Sequence, residues 1–316
     1  MGLKAKTRAN IAILLVMLMF LFLTGCAASN APEIEEMITE EKIAHVPEST
    51  AGKPEIVGSG KYIVQELSSE RDGLSIYGVA YIPDNNQEKV PVVIISHGFN
   101  INHAYFTEYA KTLAETGVAV YKFDFGGGSR NSRSDGSMLD MSLLTQTEDL
   151  NAVIDLVQTL DFVDTNNMFL MGLSMGGAVS ALVASQRPDD IRGLVLICPA
   201  FIIPDTADQM YSSADDIPEQ VQLMGATVGR RFYEDVLGFD IYSEIQGYHN
   251  HVLLIHGDRD NIVPISYSER AVDIYTSSEL LVLEGAGHGF RGDDVNRTIA
   301  AMIDYIKRHS FHYGEE

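Results

Sequence analysis

A serine set between glycines, a histidine in a glycine-rich turn and an aspartate in an acidic loop are the residues of this 316-residue chain whose types and order could support covalent chemistry. Ser174 stands in Gly172-Leu173-Ser174-Met175-Gly176-Gly177, directly after the apolar run Met168-Phe169-Leu170-Met171. That run predicts a short buried strand, and Ala178 to Ala184 behind it predicts a helix. A strand, a tight turn and a helix lift a serine hydroxyl above a sheet, and the glycines remove the Cβ atoms that would collide at so sharp a bend. The pattern alone is weak, because a chain with 27 glycines meets it by chance, in roughly one such chain in six. The weight lies in partners of the right type placed later in the chain.

Two further apolar runs end in polar turns. His251-Val252-Leu253-Leu254-Ile255-His256 leads into Gly257-Asp258-Arg259-Asp260-Asn261-Ile262-Val263-Pro264, and Leu280-Leu281-Val282-Leu283 leads into Glu284-Gly285-Ala286-Gly287-His288-Gly289-Phe290. In a parallel sheet the carboxyl ends of the strands share one edge, so residues distant in sequence converge in a crevice there. A serine hydroxyl is a weak nucleophile at neutral pH; His288 would take its proton during attack and return it to the leaving group. An acid would hold the imidazole in the required tautomer without accepting the proton. Asp260 is the expected acid, with Asp258, two residues earlier, as its rival and as a turn residue otherwise. The charge developing on an attacked carbonyl oxygen also needs donors. Val92-Val93-Ile94-Ile95-Ser96 predicts a central strand running into His97-Gly98-Phe99-Asn100, so the expected donors are the main-chain N–H groups of Phe99 and Met175.

The segment from about Val90 to Ile306 resembles an α/β-hydrolase, in which the serine, acid and histidine come in this chain order. Within that superfamily it is similar to bacterial cinnamoyl/feruloyl esterases. The resemblance rests on His97-Gly98-Phe99, Gly172 to Gly177, His256-Gly257 through Asp260 with Val263-Pro264, and Gly285-Ala286-Gly287-His288; Asp124 and Ser134-Asp135-Gly136 match the loop after the following strand. Gly126-Gly127-Gly128 and Gly172-Leu173-Ser174 depart from the expected feruloyl esterase forms. The resemblance implies an α/β-hydrolase fold: a mostly parallel sheet flanked by helices, with a lid insertion. It also implies hydrolysis of carboxylic esters through an acyl-enzyme, without cofactor or metal.

The elements needed to position these residues are themselves legible. Lys61 to Leu67 and Leu74 to Tyr81 predict an initial strand pair. Alternation comes next, with a helix near Tyr105 to Glu115, a strand over Val118 to Phe123 and a helix near Met141 to Leu160. Such alternation implies a parallel sheet covered by helices on both faces. From 201 to 250 no core-strand pattern occurs, while bulky residues including Met210, Tyr211, Met224, Phe232 and Tyr233 accumulate. This stretch is the expected lid, suited to an apolar or aromatic acyl group, or a small packing subdomain, or both.

Lys4, Lys6 and Arg8 precede an uninterrupted apolar run from Ile11 to Leu23, which reads as the n- and h-regions of an export signal. Leu23-Thr24-Gly25-Cys26 resembles a bacterial lipobox, in which the cysteine is lipidated and becomes the first mature residue. An ordinary signal peptide or an uncleaved anchor are the alternatives. The expected organisation is a signal peptide over 1–25, an acidic tether over 26–55 and a catalytic domain over 56–316, held by Cys26 at the extracytoplasmic face of a bacterial cell membrane. Losing residues 1–25 removes three positive and no negative charges, taking the net charge from −22 to −25. Nucleic acid is therefore an unsuitable partner. Only two cysteines occur, and Cys198 lies in a core-strand pattern, so neither a disulfide nor a metal site is expected. The expected partner is a small-molecule ester. Other readings are a prolyl-oligopeptidase-type peptidase, a thioesterase or acyltransferase, or a binding protein that keeps a hydrolase fold without its activity. Arg230-Arg231 would be the candidate grip for a carboxylate.

Overall fold

The computed structural model describes residues 57–58, 61–85 and 87–311. The expected signal segment 1–25 and the acidic stretch 26–55, Cys26 included, lie outside the described residues. The chain opens with strands β1 (Val57–Gly58), β2 (Tyr62–Arg71) and β3 (Leu74–Pro83). Asp72 and Gly73 join β2 to β3 with φ of 52° and 81°. Asp-Gly suits a two-residue hairpin whose central residues both need positive φ.

Strands and helices then alternate: β4 (Val90–Ser96), α1 (Thr107–Glu115), β5 (Ala119–Phe123), α2 (Leu143–Gln158), β6 (Val163–Leu173), α3 (Met175–Gln186) and β7 (Gly193–Ile197). Helix α4 (Ile202–Met210), a hairpin of β8 (Gln220–Leu223) and β9 (Ala226–Gly229), α5 (Arg231–Glu234) and α6 (Ile241–Ile245) come next. Alternation resumes with β10 (His251–Gly257), α7 (Ser266–Ile274), β11 (Ser278–Leu283) and α8 (Asp293–His309). The hairpin lies in the stretch where no core strand was expected. Its strands are short and β8 alternates between exposed and half-buried residues, so it carries no apolar run to read.

Among the described residues, nine strands form one sheet in the order β1-β2-β3-β5-β4-β6-β7-β10-β11. Pairing is antiparallel from β1 to β5 and parallel from β5 to β11. The chain passes from β4 to β5 on one side and then to β6 on the other, which leaves a crevice at the carboxyl end of β4. Both faces of the sheet are buried. Ile94, Leu170, Leu196 and Leu254 meet Leu150, Val153 and Ile154 of α2 and Val179 and Leu182 of α3. The alternate residues Val93, Ile95, Val195 and Ile255 meet Leu113 of α1 and Ile299, Met302 and Ile306 of α8. Two-sided burial explains why β4 is apolar throughout instead of alternating.

Local signals fix where the helices start and stop. Ser142 caps α2 and exchanges hydrogen bonds with Thr145 in a capping box. Helix α8 carries Asp293 and Asp294 in its first turn and Lys307, Arg308 and His309 in its last, matching the polarity of the helix dipole. No helix among the described residues is long and apolar enough to cross a membrane.

Ile94 is fully buried at the centre of the sheet. Ile94→Ala is expected to cost about 2–5 kcal/mol of unfolding free energy, read from denaturant titration. A loss below about 1 kcal/mol would contradict a close-packed interior at this position.

Candidate active site

Register brings the loops together before any side chain is considered. Ser96, the last residue of β4, pairs with Gly172 of β6, and Leu173 pairs with Ile197, the last residue of β7. The turn after β4, the bend after β6 and the loop after β7 are therefore neighbours. Ser174 sits on the bend with φ 54° and ψ −119°. Its N–H donates to Ile197 O at 2.8 Å, and its carbonyl accepts from Gly177, Ala178 and Ala200 N–H at 2.9, 3.1 and 2.9 Å. A Cβ at Gly172 would overlap the Gly176 carbonyl, and one at Gly176 would overlap the carbonyls of Ser96 and His97. Glycine is required at both places by close backbone approach.

Nδ1 of His288 lies 2.7 Å from Asp260 Oδ2, and its Nε2 lies 2.9 Å from Ser174 Oγ. A carboxylate only accepts, so Nδ1 carries the proton and donates it, which leaves Nε2 free to accept from the serine hydroxyl. The Asp260 carboxylate is buried, and its other oxygen accepts from Ile262 and Val263 N–H at 2.8 and 2.9 Å. Burial opposes its charge, but hydrogen bonds from His256, His288 and the Val263 N–H outweigh that and hold its carboxyl well below the usual carboxylate range. Asp258 is exposed and accepts from Gly285 N–H at 2.6 Å, tying the acid loop to the histidine loop. The structure thus places Asp260, and not its rival, against His288.

Phe99 and Met175 flank Ser174 in one cavity. Met175 is the first residue of α3, where an N–H has no carbonyl a turn earlier in its helix. The Phe99 N–H donates to no protein acceptor among the described residues. His97 braces this turn: its Nε2 accepts from Phe125 N–H at 3.0 Å, and its Nδ1 faces Gly98 O at 2.8 Å. Burial pushes the His97 imidazole pKa down and keeps it neutral. Asp124 ties together the segments around His103 and Arg133, accepting from His103 N–H and Arg133 N–H at 2.7 and 2.8 Å. Burial opposes the Asp124 charge, but the His103 side chain and these N–H donors hold its carboxyl below the usual range.

Sequence reasoning passed over the part that one residue beside Asp260 plays. His256, fully buried at the end of β10, directs Nε2 to Val263 O at 2.9 Å and to Asp260 Oδ2 at 3.3 Å, and Nδ1 to Ser268 Oγ at 2.7 Å. Its signal was a polar residue ending an apolar strand four positions before an aspartate. Cys198, expected in a core strand, is buried beside them, and ligand atoms of Cys198, His256 and Asp260 lie within 4.8 Å of one another. Burial pushes the Cys198 thiol up to about 12, so it stays protonated and is a poor metal ligand.

Beyond Ser174 the crevice opens into a cavity of about 150 Å³ lined by Ile202, Leu223, Met224, Phe232, Tyr233 and Ile262, with no charged side chain in its wall. The insertion after β7 divides between two jobs. Met224, Phe232 and Tyr233 line the cavity, while Tyr248 and Tyr242 pack inward and donate to the Ile191 and Tyr267 carbonyls at 3.1 and 2.9 Å. Arg230 and Arg231 are not aimed at the cavity. They pair with Glu234 and Asp235 one turn on, and Arg230 also holds the Ile217 carbonyl.

A family model described as serine aminopeptidase, S33 matches residues 87–234, and one described as TAP-like protein matches 241–310. Est1E from Butyrivibrio proteoclasticus, solved with ferulic acid bound, superposes with a TM-score of 0.71 at 26% identity over 77% of this chain and 98% of that one. This chain has an α/β-hydrolase fold. Among curated relatives, monoacylglycerol lipase ABHD6 of Rattus norvegicus is 22% identical over 260 residues, 68% of this chain and 75% of that protein. A monoacylglycerol lipase from Paleococcus ferrophilus shares the fold, with a TM-score of 0.58 at 18% identity over 74% of this chain and 99% of that one.

The two aspartates of the loop after β10 are separable by experiment. Asp260→Asn is expected to lower kcat by up to about 10⁴-fold through loss of the histidine tautomer. Asp258→Asn, which keeps an oxygen to accept from the Gly285 N–H, should cost under about tenfold. Steady-state kinetics on an ester substrate measures both, and a larger loss at Asp258 would contradict the geometry.

Proposed function

We propose that this protein is a serine hydrolase of carboxylic esters, in which Ser174 is the nucleophile, His288 the general base and acid, and Asp260 the residue that fixes and stabilises the imidazole. The observation that carries this reading is the unbroken sequence of contacts from Ser174 Oγ through His288 to Asp260, at 2.9 and 2.7 Å. Ser174 attacks the ester carbonyl as Nε2 takes its proton. The Phe99 and Met175 N–H groups meet the oxyanion, His288 protonates the departing alcohol, and water then releases the acid by the reverse sequence.

The acyl group sits in the apolar cavity. About 150 Å³ is available, and a cavity of that size holds a single aromatic ring or a short aliphatic chain. Ferulic acid in Est1E and the monoacylglycerol lipase relatives both favour an ester with an apolar or aromatic acyl group. The aminopeptidase description of one matching family favours a second reading, peptide hydrolysis. The cavity wall offers no charged side chain to grip a peptide terminus, so esters are preferred.

The protein acts at the extracytoplasmic face of a bacterial cell membrane in this reading, anchored by acyl chains on Cys26. Support comes from the charged n-region, the apolar run and Leu23-Thr24-Gly25-Cys26. Two acyl chains suffice for stable anchoring, where one is marginal.

Ser174→Ala should abolish ester turnover and fluorophosphonate labelling while leaving the thermal unfolding midpoint within a few degrees of wild type. Turnover near the wild-type rate in Ser174→Ala would refute the mechanism. For the anchor, mass spectrometry of the mature N-terminus from bacterial membranes should show a lipid-modified Cys26. An unmodified terminus at another residue would exclude it.

A further inference from the structure

Resting on that reading of the site, we propose that His256 is a positioning residue for the acid: a neutral imidazole that holds Asp260 Oδ2 in line with His288 and forms one side of a closed clamp around the carboxylate. The inference begins from an imbalance. A carboxylate taken out of water must be met by donors or it will protonate or move. The Asp260 carboxylate is buried, its Oδ1 is met by the Ile262 and Val263 N–H groups, and Oδ2 faces two imidazoles. One of these is His288, which must be free to change its charge during turnover. The other is His256, which reaches neither the cavity nor Ser174 and is fully buried.

The proton on His256 can be placed from its partners. Nε2 faces two acceptors, Val263 O at 2.9 Å and Asp260 Oδ2 at 3.3 Å, and neither can donate when the carboxylate is ionised. Nε2 must therefore carry the hydrogen. Nδ1 faces Ser268 Oγ at 2.7 Å, and the serine hydroxyl can donate to it. A single neutral tautomer satisfies every contact. The clamp then closes on itself: Val263 N–H donates to Asp260 Oδ1, Val263 O accepts from His256, and His256 also faces Oδ2. Ser268 on α7 fixes the ring plane, so the helix after the acid loop takes part in aiming the acid.

The titratable groups facing His256 are Asp260 and the Cys198 thiol. The His256 N–H is directed at Val263 O, and its positive end still lies beside Oδ2, 3.3 Å from Nε2, which makes the carboxylate less basic. Without it, Oδ2 would bind the His288 proton more strongly, and the histidine would protonate at higher pH. A residue that merely filled space at the end of β10 would have no such effect.

The test uses the full chain and two variants, with histidine-labelled NMR and the pH dependence of kcat/KM for a p-nitrophenyl ester. Near neutral pH, wild-type His256 should show a protonated Nε2 and a bare Nδ1. His256→Leu should lower kcat/KM by about tenfold to a hundredfold, chiefly through kcat with KM little changed, and should move the acid limb of the profile to higher pH. His256→Gln keeps an N–H donor near the Nε2 position and should recover part of both losses. A wild-type His256 protonated at Nδ1 and bare at Nε2 would overturn the proposal, as would a His256→Leu enzyme with unchanged kcat and acid limb. The tautomer is read without turnover, so it decides the matter even where the variants fail to fold. Absence of ester hydrolysis by the wild type would count against the esterase reading and leave the tautomer result standing on its own.

Discussion

The carboxyl edge of the sheet depends on how closely the start of α3 approaches the end of β4. A Cβ on Gly176 would overlap the Ser96 and His97 carbonyls, so only glycine allows the two to meet. That approach sets the Ser174 hydroxyl beside the turn whose Phe99 N–H is unpaired by protein among the described residues. It also imposes a cost. A serine at φ 54° and ψ −119° is strained, by about 1–3 kcal/mol. Four backbone hydrogen bonds to Ser174, drawn from β7, α3 and the loop after β7, hold it there. Rigidity on three sides gives the hydroxyl a fixed direction toward His288, as a preorganised site requires.

A chain of net charge −22 places an ionised carboxylate and an uncharged cavity within a few residues of each other. The two are kept apart by the acid loop itself. Asp260 turns inward to backbone N–H groups and imidazoles, while Ile262, two residues on, turns outward into the cavity wall. Charge is thus confined behind His288, where in the proposed mechanism it would stabilise an imidazolium. The space in front of Ser174 stays apolar, which in the proposed esterase would favour an acyl group with little polarity and leave the developing oxyanion to the two N–H donors.

Much of this arrangement was legible in the sequence because each contributing loop comes directly after an apolar run. Two-sided burial makes β4, β7, β10 and the second half of β6 read as hydrophobic stretches, and the first polar residues after them fall at one edge by topology. Ser174 and Asp260 were found this way; His288 comes after the apolar run of β11, an edge strand that is only partly buried. What was not legible depends on contacts across sequence. His256 looked like the last residue of a strand, and its link to Ser268, twelve positions on, comes from how α7 packs. The β8–β9 hairpin carries no apolar run, so nothing in its composition marked it as paired. Nor could the pattern say which bulky residues between 201 and 250 face the cavity. Phe232 and Tyr233 do, while Tyr242 and Tyr248 hold the insertion onto the body of the fold.

The central claim is that Ser174 forms a covalent bond to the acyl group during turnover. Peptide-level mass spectrometry on enzyme acid-quenched during hydrolysis of a p-nitrophenyl ester tests it most directly. The account predicts an added acyl mass confined to the peptide that contains Ser174, appearing within the first turnover and disappearing as substrate is exhausted. Steady turnover with no acylated peptide, or with the acyl mass on another residue, would contradict it.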